Sequence, residues 1–323
     1  MNTQTPPNAL ANVKIPDAAG LAEAASVLMA GGTVAVPTET VYGLAARADR
    51  AEAVAGIYRA KGRPDFNPLI VHVRDLAAAE VLAVFDARSR ALAAAFWPGP
   101  LTLVLPRRED APLAAAVSAG LPTVALRVPA HPVMRALLAA AGLPLAAPSA
   151  NRSGGVSPTS AAHVAASLGS RANLILDGGR TERGLESTIV AVRPHGGWQI
   201  LRPGPITEAA LAAVLGEAST EQRRGIEADT IEAPGQLASH YAPGKPVRLG
   251  AVAAEPGEFL IGFGRVAGAI SLSPSGDLAE AAARLYACLH EAAAAPEPCI
   301  AVALIPQEGI GVAINDRLRR AAV

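Results

Sequence analysis

Two cysteines, Cys288 and Cys299, are all that 323 residues contain. They are too few for a disulfide framework and lie outside any paired metal-ligand spacing, so they read as small apolar residues of a cytoplasmic protein. Aromatic residues make up 3% of the chain and formal net charge is zero, against the basic excess and stacking platform expected of a protein that grips RNA directly. No long apolar run survives inspection. The longest, Ala136 to Ala147, is broken by Gly142 and Pro144, so no membrane span is expected. The N-terminus lacks a basic leader, and Glu23 interrupts the apolar stretch after Asp17, which predicts an amphipathic helix rather than a signal peptide. No G-x-x-x-x-G-K-[ST] occurs, so any nucleotide is held by a loop other than a Walker A. Lysine is scarce as well. Lys14, Lys61 and Lys245 are the only ones in a chain that otherwise uses arginine.

Half of the residues are apolar and 17% are charged, which excludes a disordered chain, and the length predicts about two domains. The stretch from Gly31 to Val73 organises the first of them. Thr33 to Val36 is a short β-branched run ended by Pro37, which leaves Thr38, Glu39 and Thr40 at a strand end, where ligand-facing groups tend to lie. A helix follows over Ala51 to Ala60, with Asp49 as its expected N-cap and Gly62 and Pro64 as its stop. Lys61 and Arg63 then share one corner. They could simply offset the helix dipole, but a lysine in so lysine-poor a chain points to a chosen residue. Leu69 to Val73 reads as a strand buried on both faces, and His72 within it fits a hydrogen-bonded core residue as well as a functional one.

Helices and strands alternate from there. Helices near Leu76 to Val84 and Arg88 to Phe96, strands Leu101 to Leu105 and Thr123 to Val128, and a helix opening at Pro132 predict an α/β domain with a twisted mixed sheet. Thr188 to Val192 and Trp198 to Arg202 form the expected hairpin around His195, Gly196 and Gly197. Thr123 and Arg127 lie four apart in one strand and so leave the same face. A buried strand arginine needs an anion, which an internal carboxylate or a bound one would equally supply.

Ala147-Pro148-Ser149-Ala150-Asn151-Arg152-Ser153-Gly154-Gly155 runs from a strand end into a Gly-rich loop, with Ser157 as the expected N-cap of the next helix and Pro158 at its first position. Hydroxyls, an amide and glycines before a helix also make a phosphate cradle. Residues 216–245 read as a linker, charged at first and ending in Ser239-His240-Tyr241-Ala242-Pro243. Beyond it, short strands, a helix Asp277 to Ala294, a strand Cys299 to Ile305 and a last helix predict a small Rossmann-like α/β unit. Its Gly262-Phe263-Gly264-Arg265-Val266-Ala267 matches G-x-G-x-x-A only weakly, because no helix follows at once.

PTETVYGL, the KGR corner, NPLIVHV and APSANRSG together resemble the YrdC-like domain of threonylcarbamoyl-AMP synthases, and the C-terminal third extends the resemblance to the long, two-domain form, over roughly residues 15 to 320. That implies a YrdC-like catalytic domain (15–215), a linker folding over the active site (216–245) and a small Rossmann-like domain (246–323). It implies synthesis of threonylcarbamoyl-AMP and pyrophosphate from L-threonine, bicarbonate and ATP with Mg2+, for the t6A modification of tRNA. A downstream threonylcarbamoyl transferase would receive the product, with tRNA only an indirect partner. By matching motifs, L-threonine is expected at Thr40, His72, Arg127, Ser187 and the backbone at Ala147. ATP is expected at Arg63, Asn67, Thr123, Ser149, Ser157, Arg202 and Tyr241, with Asn151 orienting its loop and with Lys61 and Arg63 as the catalytic cations at the phosphates. The metal ligands stay unassigned. Two other readings remain open at this point: an RNA-binding module, and a nicotinamide-dependent oxidoreductase built on the C-terminal glycine turn.

Overall fold

The computed structural model describes residues 12–193, 196–216, 232–235 and 240–323. The turn of the 188–202 hairpin at His195 and most of the expected linker lie outside them. Ten strands build one mixed sheet: β1 (Val13–Lys14), β2 (Val34–Pro37), β3 (Tyr42–Arg47), β4 (Ile70–His72), β5 (Leu101–Pro106), β6 (Thr123–Arg127), β7 (Leu145–Ala146), β8 (Leu174–Leu176), β9 (Thr188–Val192) and β10 (Trp198–Arg202). Their order is β1-β8-β2-β3-β7-β4-β6-β5-β9-β10. The hairpin read from the sequence is there, β10 antiparallel to β9. Around the sheet pack α1 (Ala18–Met29), α2 (Ala51–Lys61), α3 (Leu76–Glu80), α4 (Ala87–Phe96), α5 (Pro132–Ala141), α6 (Ala161–Leu168) and α7 (Glu208–Leu215). Central strands such as β2 and β4 are buried at every position, which is why they read as continuous apolar runs.

A second, four-stranded sheet is parallel throughout, in the order β11 (Val247–Ala251), β14 (Cys299–Ala303), β12 (Glu258–Gly262), β13 (Ile270–Ser271). Helices α8 (Leu278–Ala294) and α9 (Gly311–Ala321) accompany it. The glycine turn after β12 leads into a strand, and a side chain on Gly262 would meet the Val266 carbonyl oxygen at 2.3 Å, so this turn is filled by its own backbone. The two units share a core. Val41, Val156, Leu185 and Tyr241 belong to the same apolar cluster as Ile261, Leu285 and Tyr286.

Local chemistry explains where elements begin and end. Gly62 ends α2 in the left-handed region (φ 60°), which a residue without Cβ adopts at little penalty. Two expected caps are corrected. Asp49 does not cap α2, because its carboxylate is taken by Arg47 in a two-pronged ion pair and Arg50 occupies the N-cap without a side-chain bond. Ser157 does not cap the next helix either. That helix starts at Ala161 with Ser160 as N-cap, and the Ser157 hydroxyl turns inward to a carboxylate.

Candidate active site

The sheet converges on one cavity. Pro37 pairs with Tyr42 across the β2–β3 hairpin, and the four residues between them form a turn in which Thr38 Oγ1 accepts from the Thr40 and Val41 backbone N–H groups and donates to the Val41 carbonyl. That turn aims Thr40 and Glu39 at Arg127, which the parallel register of β4 and β6 sets beside His72. Arg127 Nη2 meets Glu39 Oε1 at 2.5 Å and Nη1 donates to Thr40 Oγ1 at 3.0 Å. The internal carboxylate is therefore present. Burial raises the Glu39 pKa, but Arg127 and backbone donors outweigh it and hold the group below its ordinary value.

The Ser149–Gly155 loop closes another side. Pro148 and Ala150 continue the pairing with β3 through Leu44 and Tyr42. Lys61, at the end of α2 and 3% exposed, donates to the carbonyls of Ser149 (2.5 Å) and Asn151 (2.6 Å). Asn151 Nδ2 pins the same loop through Arg152 and Gly155. Arg63 is anchored by Asn67 Oδ1 (2.6 Å) and the Pro68 carbonyl (2.9 Å). Arg202 donates to the Ser187 carbonyl (3.0 Å) and hydroxyl (3.2 Å) and to the Pro234 carbonyl (3.3 Å). Burial pushes the Arg63 pKa down to about 10, and Arg202 adds to the shift; both guanidinium groups stay charged at neutral pH.

Of the residues named from the sequence, Thr40, Arg63, His72, Arg127, Ala147, Ser149, Ser187, Arg202 and Tyr241 line this cavity. Lys61, Asn67, Asn151 and Ser157 stand behind the wall and hold it, whereas Thr123, at the outer end of β6, does not reach the lining. Glu186, His240, Pro234 and Gly235 line it as well. Glu186 precedes a β-branched strand with no periodicity to flag it, so no local signal could have picked it out.

The wall is cationic and short of partners. Burial drives His72 and His240 to pKa values of about 3, so both rings are neutral at physiological pH. His72 Nδ1, His240 Nδ1 and the Tyr241 hydroxyl are buried without a hydrogen-bond partner among the described residues. Buried polar atoms are seldom left so, and three around a cavity carrying Arg63 and Arg202 point to an anionic, hydrogen-bonding ligand. The cavity encloses about 40 Å3, within about 520 Å3 of unfilled space that opens to solvent.

Comparison with known proteins decides the family. The family described as "Telomere recombination" matches residues 26–204, and "Threonylcarbamoyl-AMP synthase, C-terminal domain" matches residues 206–323. A threonylcarbamoyl-AMP synthase of Bacillus subtilis is 40% identical, over 94% of this chain and 92% of its own. The chain belongs to the threonylcarbamoyl-AMP synthase family. A family member of Pyrococcus abyssi is 38% identical over 93% of each chain. The crystal structure of P. abyssi Sua5 in complex with L-threonine superposes with a TM-score of 0.85 at 36% identity, covering 94% of both chains. The synthase-family match at 206–323 begins just before α7, yet Leu211 of α7 packs in the core of the large sheet, so part of this second match is built into the first unit.

Proposed function

We propose that this chain is an L-threonylcarbamoyladenylate synthase, which converts L-threonine, bicarbonate and ATP to threonylcarbamoyl-AMP and pyrophosphate for t6A formation in tRNA. The observation that carries the reading is the cationic cavity with unpartnered polar atoms, in a chain that follows a threonine-bound family member over nearly its whole length. Residues 15–215 form the catalytic domain and 246–323 the smaller domain; of the linker 216–245, the described residues Pro234, Gly235, His240 and Tyr241 line the active site.

Two substrates divide the wall. L-threonine sits at Thr40, His72, Arg127, Ser187 and the backbone of Ala147. Arg127 keeps guanidinium N–H groups beyond those given to Glu39, Thr40 and Gly99, so it can take a carboxylate without leaving Glu39. ATP sits at Arg63, Ser149, Arg202 and Tyr241, on a frame held by Lys61, Asn67, Asn151 and Ser157. Thr123 would reach the nucleotide only at its far end.

The chemistry needs no protein nucleophile. The threonine amine condenses with bicarbonate to a carbamate, releasing water. One carbamate oxygen then attacks the α-phosphorus, a P–O bond forms as the bond to the β-phosphate oxygen breaks, and pyrophosphate leaves. Negative charge gathers on phosphate oxygens, where the fixed charges of Arg63 and Arg202 stabilise it. Mg2+ would offset part of the triphosphate charge; the cavity wall, with Arg63, Arg127 and Arg202, offers cations rather than a cage of carboxylates, so the metal would enter with the nucleotide. The neutral His72 ring can share a hydrogen bond with the reacting amine, but at a pKa of about 3 it is too weak a base to take its proton. The product passes to a threonylcarbamoyl transferase in the cytoplasm.

The test is pyrophosphate release from purified protein with ATP, Mg2+ and bicarbonate, with L-threonine present or omitted. Threonine-dependent release is expected, and release that ignores threonine would overturn the assignment. Retention of NAD or salt-sensitive tRNA binding without ATP turnover would favour the other two readings.

A further inference from the structure

The second sheet's helices reach the cavity wall around Glu186. Glu186, immediately before Ser187, is buried, and its carboxylate is held mainly from the C-terminal unit: Oε2 accepts from Arg317 Nε at 2.9 Å and from the Tyr286 hydroxyl at 2.8 Å, while Oε1 accepts from Ser157 at 2.5 Å. Arg317, on α9, is completely buried. Its remaining donors go to Asp316 (2.6 Å) and to the carbonyl of Pro203 (3.0 Å), the residue after Arg202. Its guanidinium carbon also lies 5.3 Å from the centre of the Tyr241 ring, within reach of a cation–π contact.

Tyr241 is held from the same side. Its ring stacks on Tyr286 at 5.5 Å, and the preceding backbone N–H donates to the α9 carbonyl of Arg320 at 3.2 Å. Its backbone is left-handed (φ 65°), a conformation a tyrosine adopts only where its surroundings impose it. Gly184 is tied in too, because a side chain there would lie 2.3 Å from the Ala283 carbonyl oxygen of α8.

A buried ion pair is weak support for stability, since desolvation offsets most of the attraction. What Arg317 does distinctively is touch three separate pieces of the cavity wall at once. We propose that Arg317 is a positioning residue, through which the C-terminal unit fixes Glu186, the backbone beside Arg202 and the Tyr241 ring in one arrangement and thereby sets affinity for the nucleotide. This rests on the ATP-dependent reading above. It gives the C-terminal unit a part in the site although it contributes no residue to the cavity lining. Arg317 meets no reacting atom, so its loss acts on binding more than on turnover.

Two variants separate position from stability. Arg317→Lys keeps a charge beside Glu186 but loses the planar fork that reaches Pro203, Asp316 and Glu186 together. The double change E186Q/R317Q removes both charges of that buried pair together, and Asp316 keeps Arg320. Both are expected to raise KM for ATP by about tenfold or more and to lose most of the thermal protection that ATP gives the wild type; in Arg317→Lys, which changes no residue of the cavity lining, kcat and KM for threonine change by less than about threefold. Either variant that keeps the wild-type Tm and the wild-type KM and protection for ATP overturns the inference. A wild-type protein that binds ATP but shows no threonine-dependent pyrophosphate release overturns the functional reading instead, and the ATP-protection comparison still decides the role of Arg317.

Discussion

Lys61→Met removes one ammonium group and leaves two buried carbonyls, those of Ser149 and Asn151, without the donor that now sits at 2.5 and 2.6 Å. Charge-assisted hydrogen bonds contribute roughly 1.5–3 kcal/mol each, and an orphaned buried acceptor costs about 1–3 kcal/mol. Against this stands the relief of burying a charge: desolvation, with Arg63 nearby, pushes the Lys61 pKa well below its ordinary value. The net loss should be about 2–4 kcal/mol, or a Tm lower by about 5–15 °C at roughly 2–4 °C per kcal/mol. Since these carbonyls position the loop that carries Ser149 into the cavity, kcat/KM for threonine-dependent pyrophosphate release should also fall, by about ten- to a hundredfold. Differential scanning fluorimetry and a coupled pyrophosphate assay on the same preparation read both numbers. A Lys61→Met protein with wild-type Tm and wild-type activity would refute the argument.

Three further expectations follow from the same geometry. Glu39→Gln leaves Arg127 buried without its anion and should destabilise the fold by about 3–5 kcal/mol, so an unchanged Tm would show that the pair is dispensable. Valine should be rejected more strongly than serine, because serine lacks only a methyl worth about 1–3 kcal/mol whereas valine leaves the hydroxyl's buried partners unpaired; kcat/KM for the two amino acids gives the order. His72 and His240 have folded pKa values of about 3, so the unfolded chain binds their protons first and stability is lost as pH falls below about 6.5. By pH 5 each contributes a loss of about 2 kcal/mol. His131, His163 and His290 are lowered by burial as well and add to the same loss; urea unfolding at pH 7.5 and 5.0 measures the sum, and equal midpoints would contradict the neutral-histidine reading. The lowered carboxylates Glu39 and Glu186 titrate below this window and do not mask it.

How far the sequence carried this account depended on whether a residue's partner was near or far along the chain. The β2 end at Pro37, the stop at Gly62 and the 188–202 hairpin are short-range consequences of proline, a left-handed glycine and β-branched runs, and each lies where the pattern puts it. Arg127 had two open readings because nothing local says that Glu39, 88 residues away in sequence, would turn to meet it. Ser157 looked like a cap on local grounds, but a carboxylate 29 residues on offered its hydroxyl a better buried partner. Glu186 and Arg317 were invisible, since their bond spans 131 residues and two sheets. Pairings of that kind are decided by tertiary packing, which leaves no periodicity behind.

The central claim is that threonine, bicarbonate and ATP become one molecule here. Incubating the protein with ATP, Mg2+, L-threonine and 13C-bicarbonate and weighing the nucleotide products by mass spectrometry tests it most directly. Threonylcarbamoyl-AMP carrying a single 13C, formed in step with pyrophosphate, is the predicted result. AMP or ADP alone, with no labelled adenylate at any threonine concentration, would contradict the account.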